Sequence, residues 1–215
     1  MKKHLTELVF ILDKSGSMAG LETDTIGGYN AMLSKQRVGE GDVNVTTVLF
    51  SDRMKQICTR ESIEKVSLMT EKDYQVGGCT ALLDAIGESI VYMKNVQKYA
   101  KPEQRADKVL FIITTDGYEN ASREYNYEKV RHMVEAQKRE DWEFLFLGAN
   151  IDAISTAAKF GIKPQYAANY VADEEGTRLN YEAMDRAVTC ARACRPMMGW
   201  KSAVEADHKR RANKQ

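Results

Sequence analysis

The sequence predicts a doubly wound α/β fold of three layers, in which a mostly parallel sheet of about six strands, with one antiparallel edge strand, lies between helices. Three short runs, at residues 8–12, 109–113 and 144–147, are almost wholly apolar. Each is too short for a helix and rich in β-branched or aromatic residues, which is typical of strands buried on both faces of a parallel sheet. Helical periodicity separates the runs, and this alternation predicts the fold class.

Further segments complete the predicted sheet. Residues 43–50 and 54–59 are separated by only three residues. Because a crossover helix cannot fit in so short a connection, these two segments should form an antiparallel hairpin at the sheet edge. Residues 165–171 are a weaker candidate for the last strand.

Four stretches have apolar residues at three- and four-residue steps, which predicts amphipathic helices. They are residues 26–33, 83–96, 127–134 and about 177–193. Gly27 and Gly28 lie near the start of the first of these helices. Because each glycine destabilises a helix by roughly 1 kcal/mol, the pair indicates close packing against another element.

The composition is that of a globular protein with balanced charge. The chain has 215 residues, with 31 Lys plus Arg and 31 Asp plus Glu, so its formal net charge is zero. Without a basic excess, we expect neither nucleic acid nor a membrane as a partner. No stretch has the roughly 20 apolar residues that span a bilayer, and the first apolar run is too short for a secretory signal. We therefore expect a cytoplasmic protein that is a monomer or a weak oligomer.

The domain is predicted at residues 1–199, followed by a basic tail at 200–215. Apolar periodicity fades in the tail, and basic residues there outnumber acidic ones. Chain termini are often disordered, which favours a frayed, solvated and flexible tail. The alternative is a small basic contact surface for a partner.

The cysteines and histidines form no recognisable catalytic or zinc motif. The four cysteines are irregularly spaced and have no histidine cluster beside them, so we interpret them as reduced thiols of a cytoplasmic protein. Cys190 and Cys194 lie one helical turn apart and could form a redox pair, but core-facing positions on the last helix explain them more simply. His4, His132 and His208 are interpreted as surface residues, because none lies in a motif with a nucleophile.

Oxygen-bearing side chains follow the first predicted strand at alternate positions. Asp13, Ser15 and Ser17 stand where the chain leaves the sheet, and Gly16 lets the backbone turn tightly enough for the hydroxyls to converge. Oxygen ligands of this kind are those that Mg²⁺ prefers. Since hydroxyls carry no negative charge, an ion held by them would keep a net positive charge and could accept an anionic ligand.

Two further clusters place oxygen ligands beside predicted elements. Thr80 follows Gly77 and Gly78, whose lack of side chains allows close backbone approach, and it presents a hydroxyl at the start of a long helix. Asp116 follows the buried strand at 109–113, so it places a second carboxylate at the carboxyl end of a strand.

Together these residues resemble the metal-ion-dependent adhesion site (MIDAS) of von Willebrand factor A (vWA) domains. Five residues carry the resemblance, in the same order and strand–loop context: Asp13, Ser15, Ser17, Thr80 and Asp116. The resemblance extends from about residue 8 to residue 171. The wider sequence at 24–28, 81–87 and 119–122 is similar to a bacterial and phage-borne branch of single-domain intracellular vWA proteins.

The resemblance implies a divalent-metal-dependent protein-binding module with no catalysis of its own. It implies that Ser15, Ser17 and Thr80 contact the metal directly or nearly so, and that Asp13 and Asp116 contact it directly or through water. An open coordination position would then take an Asp or Glu carboxylate from a protein partner. The expected ion is Mg²⁺, and Mn²⁺ or Ca²⁺ could take its place because all three bind oxygen ligands.

Two alternatives stay open at the level of sequence. A magnesium-dependent phosphohydrolase on a related fold would use Asp13 as its nucleophile, but such chemistry usually needs a second acid where this chain has Ser15, and a positioned lysine. Lys14 would point the wrong way if the two serines face the ion. The other alternative, implied by the resemblance, is a scaffold subunit of a larger intracellular assembly.

Overall fold

The computed structural model describes residues 4–212, which contain a six-stranded sheet. Its strands are β1 (Leu5–Asp13), β2 (Asp42–Phe50), β3 (Met54–Ser62), β4 (Lys108–Thr115), β5 (Glu143–Ala149) and β6 (Ala167–Tyr170). They lie in the order β3-β2-β1-β4-β5-β6, and every neighbouring pair is parallel except β2 and β3. The predicted fold class, with one antiparallel edge strand, is confirmed.

Helices cover both faces of this sheet. Within the described residues they are α1 (Glu22–Arg37), α2 (Leu82–Tyr99), α3 (Tyr127–Lys138), α4 (Ala153–Lys159), α5 (Glu174–Arg192) and α6 (Ser202–Ala212). The four predicted helices correspond to α1, α2, α3 and α5. Helix α4 was not predicted, because its seven residues are too few to show a helical period. No helix between residues 4 and 212 is both long enough and apolar enough to cross a membrane.

Side chains of the central strand β1 alternate between two cores, one on each face of the sheet. Leu8, Phe10 and Leu12 pack in the core that includes residues of α1, α5 and α6. Val9 and Ile11 pack in the core that includes residues of α2, α3 and α4. Successive side chains of a strand point to opposite faces, so a strand covered on both sides must be apolar throughout. This explains why the run at 8–12 is so readily recognised in the sequence.

The winding of the sheet reverses at β1. This strand lies between β2 and β4 and is parallel to both, with Asp13 opposite Phe50 and Leu12 opposite Thr114. The carboxyl ends of β1 and β4 therefore adjoin, and the loops that follow them leave the same edge of the sheet. Open α/β sheets bind ligands at this kind of switch point.

The β2–β3 hairpin lies at one edge of the sheet, as predicted, with β3 as the edge strand. The pairing of its two strands is irregular. The register shifts twice between Val45 and Val48. Arg60 of β3 has a φ of 50°, and its guanidinium forms an ion pair of 2.8 Å with the fully buried Glu7 of β1. The edge strand is therefore twisted out of a regular ladder and held to the central strand by a charge pair.

Only one of the two glycines of α1 shows the close packing that both were expected to have. A Cβ added at Gly28 would collide with the ring of Tyr181 in α5, whereas one added at Gly27 would meet nothing within 4 Å. At Gly28, α1 therefore packs directly against the ring of Tyr181, whereas no contact requires a glycine at position 27.

The structure differs from the predicted flexible tail at residues 200–212. Trp200 and Val204 are buried, and the indole nitrogen of Trp200 donates a hydrogen bond of 2.9 Å to the carbonyl of Gln165. Arg211 forms ion pairs with Asp173 and Asp207. Two apolar anchors and this charge cluster attach α6 to the folded unit. Residues 213–215 of the predicted tail lie outside the described residues.

Candidate metal site

The carboxylate of Asp13, the last residue of β1, is fixed by two hydrogen bonds. Its Oδ1 accepts the backbone N–H of Ser15 at 2.7 Å, and its Oδ2 accepts the hydroxyl of Thr115 at 2.5 Å. Thr115 is the last residue of β4, so the second bond joins the ends of the two central strands. The carboxylate is buried and held at the switch point of the sheet.

The two serines of the first loop are linked to the second carboxylate. After Ser15 the chain turns through a short 3₁₀ segment, Gly16–Met18, which brings the Ser15 and Ser17 hydroxyls to 3.1 Å from each other. The Ser17 hydroxyl donates to Oδ1 of Asp116 at 2.5 Å. A side chain from the first loop and one from the loop after β4 thus meet directly.

Thr80 approaches the same cluster from the loop before α2. The link is Gly117: a Cβ added there would lie 3.3 Å from Oγ of Ser17 and 3.7 Å from Oγ1 of Thr80. Both hydroxyls therefore lie against the same glycine, beside Asp116. The structure brings together all five residues that the sequence singled out, Asp13, Ser15, Ser17, Thr80 and Asp116.

Backbone hydrogen bonds hold the first two loops in place. The N–H of Gly16 donates to the carbonyl of Gly78 at 3.0 Å, and the N–H of Gly77 donates to the carbonyl of Lys14 at 2.9 Å. Gly78 has a φ of +82°, and a Cβ there would collide with the carboxylate of Asp52. Glycine is favoured at position 78 chiefly for its backbone angle, because the exposed Asp52 side chain could move away.

Asn120 joins the second loop to the third. Its side-chain oxygen accepts the N–H of Thr80 at 2.8 Å, and its own N–H donates to the Thr80 carbonyl at 3.0 Å. Glu119 accepts the N–H of Leu83 at 2.8 Å, so it satisfies one of the free donors at the start of α2. The three loops are thus fixed to one another by bonds that do not use the side chains of the five candidate ligands.

The electrostatics of the site favour a cation. Burial raises the pKa of Asp13 above its usual value, although hydrogen bonds from Thr115 and Ser15 act in the opposite direction. Burial also raises the pKa of Asp116, the charge of Asp13 adds to the effect, and the Ser17 hydrogen bond opposes it. Two adjacent carboxylates that lose hydration are unfavourable as anions, and a bound cation would remove that penalty.

An unsatisfied atom marks where such a cation would bind. Oδ2 of Asp116 is buried and has no hydrogen-bond partner; one oxygen each of Glu7 and Glu143 is in the same state, but those two carboxylates pair with Arg60 and Lys108 through the other oxygen. Among residues 4–212 there is no group of three or more His, Cys, Asp or Glu side chains that could hold a metal. Two carboxylates combined with three hydroxyls form a different donor set, one of hard oxygens that suits Mg²⁺ or Mn²⁺.

Several residues that support the site were not predicted from the sequence. Tyr74 is buried, and its hydroxyl donates to the backbone carbonyl of Asp13. Thr115 and Asn120 orient Asp13 and Thr80, as described above. Thr115 and Asn120 stand in the same motifs as the candidate ligands, which is a signal that could have been used. Tyr74 lies in a long irregular loop, where no pattern distinguishes it.

Lys14 is directed away from the candidate ligands. Its ammonium group donates to the hydroxyl of Ser51 at 3.3 Å and to the carbonyl of Gln75 at 3.4 Å. A phosphohydrolase that uses Asp13 would need a lysine near the same carboxylate to neutralise the phosphoryl group. The position of Lys14 therefore gives the phosphohydrolase alternative no support.

Comparison with solved structures identifies the fold. Proximal thread matrix protein 1 from the mussel byssus, in a structure with a zinc-occupied MIDAS motif, superimposes with a TM-score of 0.58 at 15% identity, over 87% of this chain and 46% of that one. The vWF domain of the type V pili tip protein Mfa5 from Porphyromonas gingivalis has a TM-score of 0.60 at 9% identity, over 86% and 95%. This chain has the vWA fold.

A third vWA-fold structure, the manganese-loaded TRAP protein from Plasmodium vivax, has a TM-score of 0.59 at 16% identity, over 83% of this chain and 73% of that one. Thus two of the three similar structures hold a divalent metal. This chain spans about half the length of the mussel protein. No protein-family model matches the sequence, and a search of curated proteins returns no match.

Proposed function

We propose that the chain is a divalent-metal-dependent protein-binding module whose metal site accepts an Asp or Glu carboxylate from a partner protein. The observation that carries the proposal is the buried Oδ2 of Asp116, which lacks a partner although four other oxygen-bearing side chains converge beside it. The metal-loaded vWA-fold structures described above support it. The residues that would hold the ion are Asp13, Ser15, Ser17, Thr80 and Asp116.

A divalent cation in this position supplies a net positive charge and a coordination position for an anionic oxygen. The chain's own residues prepare the site for it. Thr115 and the N–H of Ser15 orient Asp13, Asn120 positions Thr80, and the three hydroxyls add donors without adding negative charge. Because only two of the five donors are anionic, they would balance the charge of a divalent ion without exceeding it, so a partner carboxylate would meet no net negative charge at the site. We expect Mg²⁺, with Mn²⁺ or Ca²⁺ able to replace it.

The proposal includes no catalysis. Lys14, the basic residue of the first loop, donates to Ser51 and to the carbonyl of Gln75 rather than to a candidate ligand. We place the protein in the cytoplasm, as a monomer or weak oligomer within an intracellular assembly; its four free cysteines are consistent with a reducing compartment. A bacterial or phage origin is part of the same proposal and rests on the resemblance of the extended motifs alone.

Calorimetric titration of the chelator-stripped chain with Mg²⁺ and with Mn²⁺ tests the metal site. We expect one bound ion for the wild type and none for the Ser15→Ala/Thr80→Ala variant. Ser34→Ala is a matched control. The Ser34 hydroxyl is exposed on α1 and donates only to the carbonyl of Asn30 among the bonds described. Absence of binding by the folded wild type would overturn the proposal, as would a partner complex that survives chelation.

A further inference from the structure

A second cluster of reactive side chains lies at the amino ends of the central strands, whereas the metal site lies at their carboxyl ends. Sγ of Cys194 is 3.0 Å from Nε2 of His4, and Nδ1 of His4 is 3.3 Å from Oδ2 of Asp107. Asp107 Oδ2 also accepts the backbone N–H of Leu5 at 3.0 Å. The thiol therefore contacts the imidazole, and the imidazole contacts the carboxylate. This is the arrangement of a nucleophile, its base and the acid that orients the base.

Three separate segments of the chain build this cluster. His4 immediately precedes β1, Asp107 immediately precedes β4, and Cys194 follows the end of α5. Because β1 and β4 are adjacent and parallel, the residues before them share the amino-terminal edge of the sheet. The arrangement corrects two sequence interpretations: His4 is not merely a surface residue, and Cys194 is exposed and lies beyond the last turn of its helix.

The backbone presents the thiol in an unusual way. Cys194 has a φ of 50°, and the N–H groups of Cys194 and Arg195 bond to the carbonyls of Ala191 and Cys190. A left-handed residue just after a helix is most often glycine, because a side chain there is disfavoured. Here the position is occupied by a cysteine whose sulfur contacts an imidazole.

We propose that Cys194 is an activated thiol that forms a mixed disulfide with a low-molecular-weight disulfide, with His4 as its base and Asp107 as the residue that positions the imidazole. With the ring proton on Nδ1, His4 donates to Asp107, and its Nε2 accepts the thiol proton. The sulfur of Cys194 attacks one sulfur of the disulfide, so a new S–S bond forms as the old one breaks. The departing thiolate takes the proton from Nε2, and the products are the mixed disulfide and one free thiol.

A cavity beside the cluster has room for the reagent. It has a volume of about 580 Å³, and His4 and Ala193 lie in its wall. Lys35 and Arg192 line it together with Glu40 and Asp185, so its wall carries charges of both signs. A peptide disulfide that carries both ammonium and carboxylate groups, such as oxidised glutathione, matches that charge pattern better than a reagent with charges of one sign only.

The other thiols of the chain provide an internal comparison. Cys58 is buried, and burial raises its pKa to about 11, so it is a poor nucleophile at neutral pH. Cys79 is exposed like Cys194, but none of the hydrogen bonds described for residues 4–212 joins it to a histidine. Cys79 and Cys194 are therefore both exposed, but only Cys194 has an imidazole base beside it among the contacts described.

The test is to incubate the reduced full chain with oxidised glutathione and to follow the adduct at each cysteine by peptide mass mapping. We expect Cys194 to react on the order of tenfold faster than Cys79. His4→Gln should remove that advantage and leave the rate at Cys79 unchanged, because glutamine keeps a polar side chain but cannot accept the proton. Asp107→Asn keeps an acceptor for the Leu5 N–H and should reduce the advantage only partly.

Equal rates at Cys194 and Cys79 in the wild type would overturn the proposal, and so would a rate at Cys194 that is unchanged in His4→Gln. The wild-type ratio decides the matter even if a variant fails to fold. His4→Gln leaves intact the backbone bond of 3.1 Å from Asp42 N–H to the His4 carbonyl, so we expect a native circular dichroism spectrum. Because the cluster and the metal site lie at opposite edges of the sheet, either can fail its test without affecting the other.

Discussion

Tyr74 donates its hydroxyl hydrogen to the backbone carbonyl of Asp13, 61 residues away in the chain. The tyrosine is buried, and burial raises its pKa well above the usual value of 10.0, so it remains a protonated donor at neutral pH. It stands in the long irregular segment between β3 and α2, and its bond attaches that segment to the residue that begins the metal loop. A side chain 61 residues from Asp13 in the sequence thus helps to set the position of that residue.

Tyr74→Phe should weaken metal binding while preserving the packing of the ring. We expect the free energy of unfolding to fall by about 1 to 3 kcal/mol, because a buried hydrogen bond is lost, and the affinity for Mg²⁺ to fall by roughly tenfold, as for other residues that orient ligands. Urea unfolding and calorimetry measure the two effects. Tyr118→Phe is the control, since Tyr118 is 56% exposed; an equal loss of affinity there would contradict the assignment to Tyr74.

Asp116→Asn should have opposite effects with and without metal. In chelator we expect the variant to be at least as stable as the wild type, because it removes a buried charge whose Oδ2 has no partner. In Mg²⁺ at a hundred times its dissociation constant, the wild type should gain about 2.7 kcal/mol and the variant should gain almost nothing.

Urea unfolding in chelator and in Mg²⁺ measures both differences for Asp116→Asn. Glu71→Gln, an exposed change of the same kind, should behave like the wild type under both conditions. A wild type whose unfolding midpoint does not respond to Mg²⁺ would contradict the role given to Asp116.

The two glycines of α1 should respond to alanine in opposite directions. Gly27→Ala should raise the free energy of unfolding by about 0.5 to 1 kcal/mol, because alanine favours the helix and meets no neighbour. Gly28→Ala should lower it by about 1 to 3 kcal/mol, because its methyl group would overlap the ring of Tyr181. Thermal or urea unfolding of the pair measures the difference, and equal effects at the two positions would show that α1 and α5 are not packed as described.

Asp73 should contribute stability that disappears in acid. Hydrogen bonds from the hydroxyl and N–H of Thr70 lower the pKa of its carboxyl below the usual 3.8, and the charge of Lys55 adds to the effect. Because the folded-state pKa is the lower one, the contribution is complete above pH 3.8 and is lost as the pH falls through the folded-state value. An NMR titration of the Asp73 carboxyl should show a higher pKa in Thr70→Ala than in the wild type; identical values would contradict the assignment to Thr70.

Trp200→Ala should destabilise the whole fold, because α6 is part of it. The loss of a buried indole and its hydrogen bond is expected to lower the free energy of unfolding by about 3 to 5 kcal/mol. Met198→Ala, at a side chain that is 85% exposed, should stay within about 0.5 kcal/mol of the wild type. Urea unfolding measures the free energy of unfolding of both variants. Similar values for the two would show that α6 is a flexible tail rather than part of the fold.

Much of the fold could be predicted because burial on both sides leaves a strong trace in the sequence. The runs at 8–12, 109–113 and 144–147 are apolar at every position, so they identify three of the four inner strands of the sheet. By contrast, α6 is attached by Trp200 and Val204 among charged residues, and so few anchors give no helical period. Its position depends on contacts with β6 and α5 that no local pattern reports.

The candidate site was predictable for a different reason. Asp13, Thr80 and Asp116 each stand at the end of a recognisable element, so the topology alone brings them to one edge. The role of Tyr74 could not be predicted in this way. It depends on how a long segment without periodicity folds back to bring the Tyr74 hydroxyl to the carbonyl of Asp13. The Cys194–His4 contact joins residues 190 positions apart, and no motif relates the two.

The irregular edge strand has a consequence for the behaviour of the protein in concentrated solution. A straight, exposed β-strand offers unpaired backbone groups to any other chain, and this is a common route to aggregation. In β3 the shifts of register opposite Val45 and Val48 and the left-handed backbone of Arg60 break up that row of donors and acceptors. We therefore expect no second molecule to extend the sheet at this side.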